Sequence, residues 1–598
     1  MRRIAPILIL TYFALTTLSC SQANAQSAEI IALRDSLDAI QYEIPSMPAI
    51  QGKWTVVKVC KQKDWDEIAT TMKSLLDAGH KNIKVKVTGK NIVFGLESKV
   101  IQGWNYPDAN IRIEGKKAKM IPYGYSFSRS DAGVAREGDF YTLPYTEFYL
   151  NDIVIDSKGN EIPFREEVKQ VTGDILKVQE FNPSTSSGVG SKVQDVWKFE
   201  IDLPNLSEEQ CKDFYVLITR DWTSARHKVV KVEDGWLYYH LDSEDLHSDR
   251  DPNVDWKQYR VRPRYRLINN PVSNGVHTAN GKIYIPYQYK KIRVNKGGQL
   301  ITFAYCHFNS LEISGFKLNG CGSATPFGVY SSTFEQGAYI HDNTFTNMSG
   351  LAISTAYNKN VTISNNSVTN TLVQAIAGGG TNTTICGNRL KNIGWMLNTR
   401  AITGGGERLH ICDNVIEDFN YGAIACGSTT SNDKATPLTY IIERNIIRLT
   451  NEYTDNYIQN TLADGGGIYI GPQCTQGIIR NNVVENIKGI HSNRGIFLDD
   501  GAKNLAIYGN MILNTANSYD IDLRYCKTYA AGIPDHNTNN CMFDNILTGT
   551  YRFQDGGAGS NCVEGENPVV SSSKFQVSGS KVQDVQVSEF VRQYVLER

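Results

Sequence analysis

Ile340-His-Asp-Asn343-Thr-Phe-Thr-Asn347, Ile363-Ser-Asn-Asn366-Ser-Val-Thr-Asn370 and Ile385-Cys-Gly-Asn388-Arg-Leu-Lys-Asn392 are three copies of one unit. Further copies are Ile411-Cys-Asp-Asn414-Val-Ile-Glu-Asp418, Ile442-Glu-Arg-Asn445, Ile479-Arg-Asn-Asn482-Val-Val-Glu-Asn486 and Ile507-Tyr-Gly-Asn510-Met-Ile-Leu-Asn514. A worn eighth copy ends at Asn545. A recurring Ile and Asn at a period of two to three dozen residues, with few helix signals, specifies a parallel β-helix. Each coil supplies short strands to parallel sheets. The stacked Ile fills the core, and the stacked Asn side chains hydrogen-bond from coil to coil. These asparagines are therefore ladder residues rather than ligands. Cys386 and Cys412 share one repeat position on neighbouring coils, which suits a disulfide or a pair of stacked thiols.

The intervals between the fourth-position asparagines are 23, 22 and 26 residues at first and then 31, 37, 28 and 35. A solenoid takes up insertions in loops that gather on one face. The extra residues fall at 427–437 and 449–463, and their Tyr453, Asp455 and Tyr457 would wall a groove.

A second strand follows each unit: Ala401-Ile-Thr-Gly-Gly405, Ala423-Ile-Ala-Cys-Gly427, Gly467-Ile-Tyr-Ile-Gly471, Gly495-Ile-Phe-Leu-Asp499 and Asp520-Ile-Asp-Leu-Arg524. With the shared Ile inward, strict alternation turns both flanking positions outward. The expected outer face is a floor of Gly and Ala bearing Tyr469, Phe497, Asp499 and Asp522. Small residues leave room for a ligand, and aromatic rings suit a pyranose. Asp464 lies beside three glycines, and Asp500 follows Asp499 at a turn. Asp499 and Asp522, one coil apart, should stand roughly 6–9 Å from each other. Carboxyls about 6.5–9.5 Å apart suit inverting glycoside hydrolysis, and about 5–5.5 Å suits retention. Crowded carboxylates raise the pKa of one member and so place an acid beside a base. Asp499, Asp464 and Asp500 are the candidate catalytic residues. Tyr469, Phe497, Arg494, Arg400, Asp522 and His491 are the candidate substrate-binding residues, although either arginine equally suits a structural ion pair.

Upstream, Asp64-Trp-Asp-Glu67 opens a helix with Asp64 as N-cap, apolar residues at helical spacing through Leu76, and Gly79 as its stop. Such a helix caps the open end of a solenoid over residues 51–130. From 131 to 265 longer strands without a fixed period (Asp152–Asp156, Trp197–Ile201, Phe214–Thr219, Trp236–His240) indicate an inserted β-sandwich or barrel. The β-helix proper is assigned to 266–560 and a C-terminal cap to 561–598. Within the insert the acidic loop Asp242–Asp255 lacks the ordered spacing of a calcium loop and reads as solvated. Ca2+ is the one metal left open, and no other cofactor is expected, because the cysteines show no zinc-type spacing.

Residues 1–25 have the pattern of an export signal: Arg2-Arg3, an apolar run Ile4–Leu18, and Ala23-Asn24-Ala25 as a cleavage site. Cys20 allows the alternative of a lipid anchor on an outer-membrane or surface protein. Either way the product is exported, to the periplasm or beyond, and 26–50 reads as a linker. No later run is long and apolar enough to span a membrane. A net charge of −1, from 61 basic and 62 acidic residues, gives no footprint for nucleic acid. A monomer acting on carbohydrate is the expected state.

Asp464-Gly-Gly-Gly-Ile-Tyr469 and Leu498-Asp499-Asp500-Gly501 on late coils resemble the right-handed parallel β-helix glycoside hydrolases. That group includes polygalacturonases, β-helical α-1,3-galactosidases and β-helical xylosidase and fucosidase types. Tyr265-Arg-Leu-Ile-Asn269 through Gly281-Lys-Ile-Tyr-Ile-Pro286 looks like the re-entry from an inserted β domain in such enzymes. The resemblance implies an all-β solenoid glycosidase in which Asp464 and the Asp499–Asp500 pair supply acid and base. It departs from the polygalacturonase pattern at one point: Asp464 aligns by repeat with Ser492, seven residues from the Gly471 column. A β-helical polysaccharide lyase using Arg494 or a lysine as base, and a non-catalytic glycan-binding adhesin, are the competing readings.

Overall fold

The computed structural model describes residues 23–95, 99–144 except 132, strands and turns within 153–279, and 282–569 except 322–324, 395–398, 427–439, 451–464, 472–474, 488–493, 500–502, 516–518, 524–538, 555–561 and 568. The leader with Cys20, the loop Asp242–Asp255, the wall residues Tyr453, Asp455 and Tyr457, and Asp464, His491 and Asp500 lie outside the described residues. So does most of 561–598.

The repeats wind into a parallel β-helix with in-register sheets. One sheet begins at Thr55–Val59, Asn82–Val87 and Asn105–Glu114 and continues from His307–Ser314 to Val563–Glu564. A second has nine described strands, from Lys317–Asn319 to Ile546–Leu547. The third, which carries the candidate site, includes β1 (Arg400–Gly405), β2 (Gly422–Cys426), β3 (Gly466–Ile470), β4 (Arg494–Leu498), β5 (Tyr519–Leu523) and β6 (Thr550–Phe553). Ile340, Ile363, Ile385, Ile411, Ile442, Ile479 and Ile507 form a fully buried column. Each contributes about 1.5–3 kcal/mol by burial.

The asparagine ladder runs unbroken. Asn343 Nδ2 donates to Asn366 Oδ1 (3.1 Å), Asn366 to Asn388 (3.0 Å), and the chain of bonds passes through Asn414, Asn445, Asn482, Asn510 and Asn545 to Asn567. Thus a ninth copy, at Asn567, extends the eight legible in the sequence. The residue before each ladder Asn from Asn343 to Asn545 is left-handed: Asp342, Asn365, Asp413, Arg444, Asn481 and Asp544 have φ of 54–56°, and Gly387 and Gly509 have 67° and 64°. That conformation explains the Asp, Asn or Gly found there in most copies.

Between Pro122 and Ile301 the described strands pair antiparallel, in sheets of three, seven and four. Ile153–Asp156, Val196–Glu200, Tyr215–Thr219 and Trp236–His240 lie within a residue of the expected positions.

At the start of the solenoid, helices Gln62–Asp66 and Ile68–Asp77 bury Trp65, Ile68, Met72 and Leu76 against the first coils. Asp64 is not the N-cap. Lys61 holds that position, and Asp64 sits three residues on, accepting the Lys61 backbone N–H at 3.0 Å. Gly79, at φ 86°, ends the helix with a Schellman pattern, His80 N–H bonding Leu75 C=O at 3.0 Å.

The segment expected to be a linker is instead a strap. The helix Ala23–Asp38 places Leu37 against Ile441, Ile478, Tyr508 and Phe543 on the outside of late coils. The chain then crosses the same outer face toward the first coils. Tyr42 meets His410 edge to face, Tyr339 donates to Ser46 C=O at 2.9 Å, and Arg112 covers the Trp54 ring. Apolar residues and backbone carbonyls, spaced to meet successive coils, hold it there. A solvated linker would present neither.

Candidate active site

In the third sheet the shared isoleucines stack as expected: Ile402, Ile424, Ile468, Ile496 and Ile521 are in register and buried. The column Thr403, Ala425, Tyr469, Phe497, Asp522 and Arg552 lies one position further along β1 to β6. Ala425, Tyr469 and Phe497 pack together apart from the main core, which places this column on the outer face.

The column before the isoleucines corrects strict alternation. Ala401 and Ala423 belong to the central core. A Cβ on Gly467 would collide with Val484, and one on Gly495 with Ile512. These positions therefore point inward, at the corner where the neighbouring sheet's Val484 and Ile512 occupy the space. They are small for packing and do not form the floor of a groove. Asp520, in the same column, is likewise internal: its Oδ2 accepts Thr548 N–H at 2.8 Å and Gly549 N–H at 2.6 Å.

The glycines of the outer side belong to other columns. Arg400, Gly422, Gly466 and Arg494 are in register, so two glycines separate two arginines on an outer row. Gly405, on a third row, has open space where a Cβ would be.

Three predicted residues meet here. Tyr469 donates its hydroxyl to Asp499 Oδ2 at 2.8 Å, from one coil to the next. Burial, with the Asp499 carboxylate beside it, pushes the Tyr469 phenol above its ordinary pKa, so it stays a donor. Arg400 reaches across the glycine row to lie over the rings of Tyr421 and Tyr469, at 5.0 and 4.9 Å. Its buried Nε has no hydrogen-bond partner among the described residues. Asp499 is partly exposed.

The other described candidates form a closed group that packs against Tyr469 through Phe497. Asp522 is 0% exposed and takes Arg494 Nε at 2.6 Å and Arg552 Nε and Nη2 at 2.6 and 2.7 Å. Arg494 also lies 3.9 Å over Phe497, which is itself fully buried. The assignments of Phe497 and Asp522 as surfaces for a sugar therefore give way to a supporting role, because neither offers area to a ligand. Arg494 satisfies a carboxylate, the structural alternative weighed for it.

Arg552 and Tyr421 were missed. Arg552 follows Asp522 in register on a coil too worn to align by sequence, and Tyr421 lies in the turn before β2. A basic residue one coil beyond a buried Asp was the available signal.

No known protein family matches the sequence, and no curated protein is similar to it in sequence. Solved structures do match in three dimensions. One described as a glycoside hydrolase superposes with a TM-score of 0.54 at 10% identity, covering 85% of this chain and 92% of its own. The fold they share is the parallel β-helix. XylC in complex with xylose (TM-score 0.36, 12% identity, 79% of this chain and 70% of its own) is also similar. So is the catalytic domain of a GH87 α-1,3-glucanase with nigerose (TM-score 0.29, 11% identity, 63% and 91%). No helix among the described residues is long and apolar enough to cross a membrane.

Proposed function

We propose that the chain is a glycoside hydrolase that cleaves an oligo- or polysaccharide by carboxylate acid/base catalysis on the outer face of β1 to β4. The observation that carries this reading is the trio Arg400–Tyr469–Asp499: a part-exposed carboxylate oriented by a phenol at 2.8 Å, beside a cation and a row of glycines. An oriented carboxylate serves as base or acid only if its oxygen is fixed relative to the bond it attacks, and Tyr469 does that. Asp464 and Asp500, which flank β3 and β4 in the chain, supply the second carboxyl. Arg400, whose guanidinium lies over the Tyr421 and Tyr469 rings, binds a sugar hydroxyl or ring oxygen substituent. His491 adds a polar contact from the loop before β4. Export to the periplasm or beyond fits a polymer-degrading role.

The lyase reading is weakened by Arg494, whose guanidinium is buried against Asp522 and so is badly placed to take a substrate proton.

The test is a glycan panel assayed for new reducing ends. Asp499→Asn and Asp464→Asn should each keep the wild-type fold and lose about 10²–10⁴ of turnover. Products absorbing near the ultraviolet edge would indicate a lyase instead. Variants that match wild type would remove both aspartates from the mechanism.

A further inference from the structure

A cluster on the first sheet, away from the groove, has the donor set of a metal centre. Cys386 and Cys412 face each other in register on neighbouring coils, both buried and both free thiols. Asp413 follows Cys412 at the left-handed turn position, φ 55°, and its Oδ2 lies 3.6 Å from Cys386 Sγ. The two sulfurs and a carboxylate oxygen are all within 4.8 Å of one another. His410 shares Cys412's side of the strand, two residues before it, with Nδ1 3.9 Å from Cys412 Sγ.

We infer that Cys386, Cys412 and Asp413 form the core of a binding site for a divalent metal of the zinc class, which His410, with Nδ1 3.9 Å from Cys412 Sγ, completes as fourth ligand by a small ring movement. With Zn–S of about 2.3 Å and Zn–N of about 2.0 Å, tetrahedral ligand atoms stand about 3.5–3.8 Å apart. The observed 3.6 and 3.9 Å are close to that spacing. The surrounding residues orient the ligands as such sites require. His410 Nε2 lies 3.0 Å from Glu443 Oε1, a pairing that puts the proton on Nε2 and turns the Nδ1 lone pair to the sulfurs. Arg444 holds both Asp413 oxygens at 2.9 Å, and Arg480 Nε binds Glu443 Oε2 at 2.7 Å. The charges close as well. A divalent ion, two thiolates, Asp413 and Arg444 sum to zero, and Glu443 with Arg480 does too. Binding therefore moves two thiol protons to solvent and leaves no uncompensated buried charge. Thiolate and imidazole donors favour zinc-class ions over calcium or magnesium. Because Tyr42 of the strap packs on His410, the ion would clip coils and strap together.

The experiment uses the full chain, reduced and washed with chelator, titrated with Co2+ as spectroscopic probe. One equivalent should bind, giving sulfur-to-cobalt charge-transfer absorption that Zn2+ abolishes by displacement, with release of two protons. Cys412→Ser should lower that absorption by at least half. Cys386→Ser, nearer the surface and safer for folding, should halve it, and Glu443→Gln should weaken binding about 10- to 100-fold. Absence of the sulfur band in wild type, its persistence in both serine variants, or a Cys386–Cys412 disulfide that blocks binding would each overturn the assignment.

Discussion

Two corners of the same coils handle polar groups in opposite ways. At the asparagine corner every side chain is used: Asn482, for example, donates to Ile442 C=O, Arg480 C=O and Asn510 Oδ1 while accepting from Asn445. On the outer face of β1 to β4 the regular pattern stops. Glycines replace side chains, a tyrosine crosses to the next coil's aspartate, and Arg400 Nε has no partner among the described residues. Repetition satisfies backbone and core, and a departure from repetition leaves groups available to something else. The Asp522 cluster shows the intermediate case, a departure that has been closed by two arginines.

Breaking the closed cluster should have the largest effect on stability. Asp522→Asn removes the buried carboxylate that Arg494 and Arg552 share and should cost about 3–5 kcal/mol in urea unfolding. If the cost is below about 1 kcal/mol, the cluster does not support the groove. Asn482→Ala should cost about 2–4 kcal/mol, since it strands the Asn445 donors on the coil before and the Arg480 carbonyl on its own. A ladder variant that unfolds like wild type would show that the corner is redundant. The smallest effect sharpens the contrast through pH. Burial raises the Asp520 carboxyl above its ordinary 3.8 against the backbone donors of Thr548 and Gly549. The raised folded value means that this group's contribution is full below 3.8 and is lost as pH rises through the folded pKa. Melting temperatures of wild type and Asp520→Asn should therefore diverge differently at acid and neutral pH. Parallel curves would mean that the carboxyl titrates alike in the folded and unfolded chain.

The solenoid was legible because its period comes from packing: the same Ile and the same turn Asn recur whatever the loops do. The inward turn of Gly467 and Gly495 was not legible, since alternation is a property of straight strands and the chain bends at that corner. Nor was the strap, whose residues carry no repeat and gain meaning only from coils hundreds of positions away. Within the site, the register placed Tyr469 and Asp499 on adjacent strands, while the phenol-to-carboxylate contact needed side-chain direction. The roles of Phe497 and Asp522 were misjudged because outward does not mean exposed once Arg494 and Arg552 fold over them.

That strap changes how the molecule must assemble. Arg480 binds the carbonyls of Leu37 and Ile40, and Tyr508 binds Asp38, across separations of 443, 440 and 470 residues. A repeat protein ordinarily folds by nearest-neighbour growth, with no step that waits for the far end. Here a segment synthesised before the coils cannot reach its resting place until the last coils exist. Its docking is then a late, long-range closure that couples both ends of an otherwise linear stack.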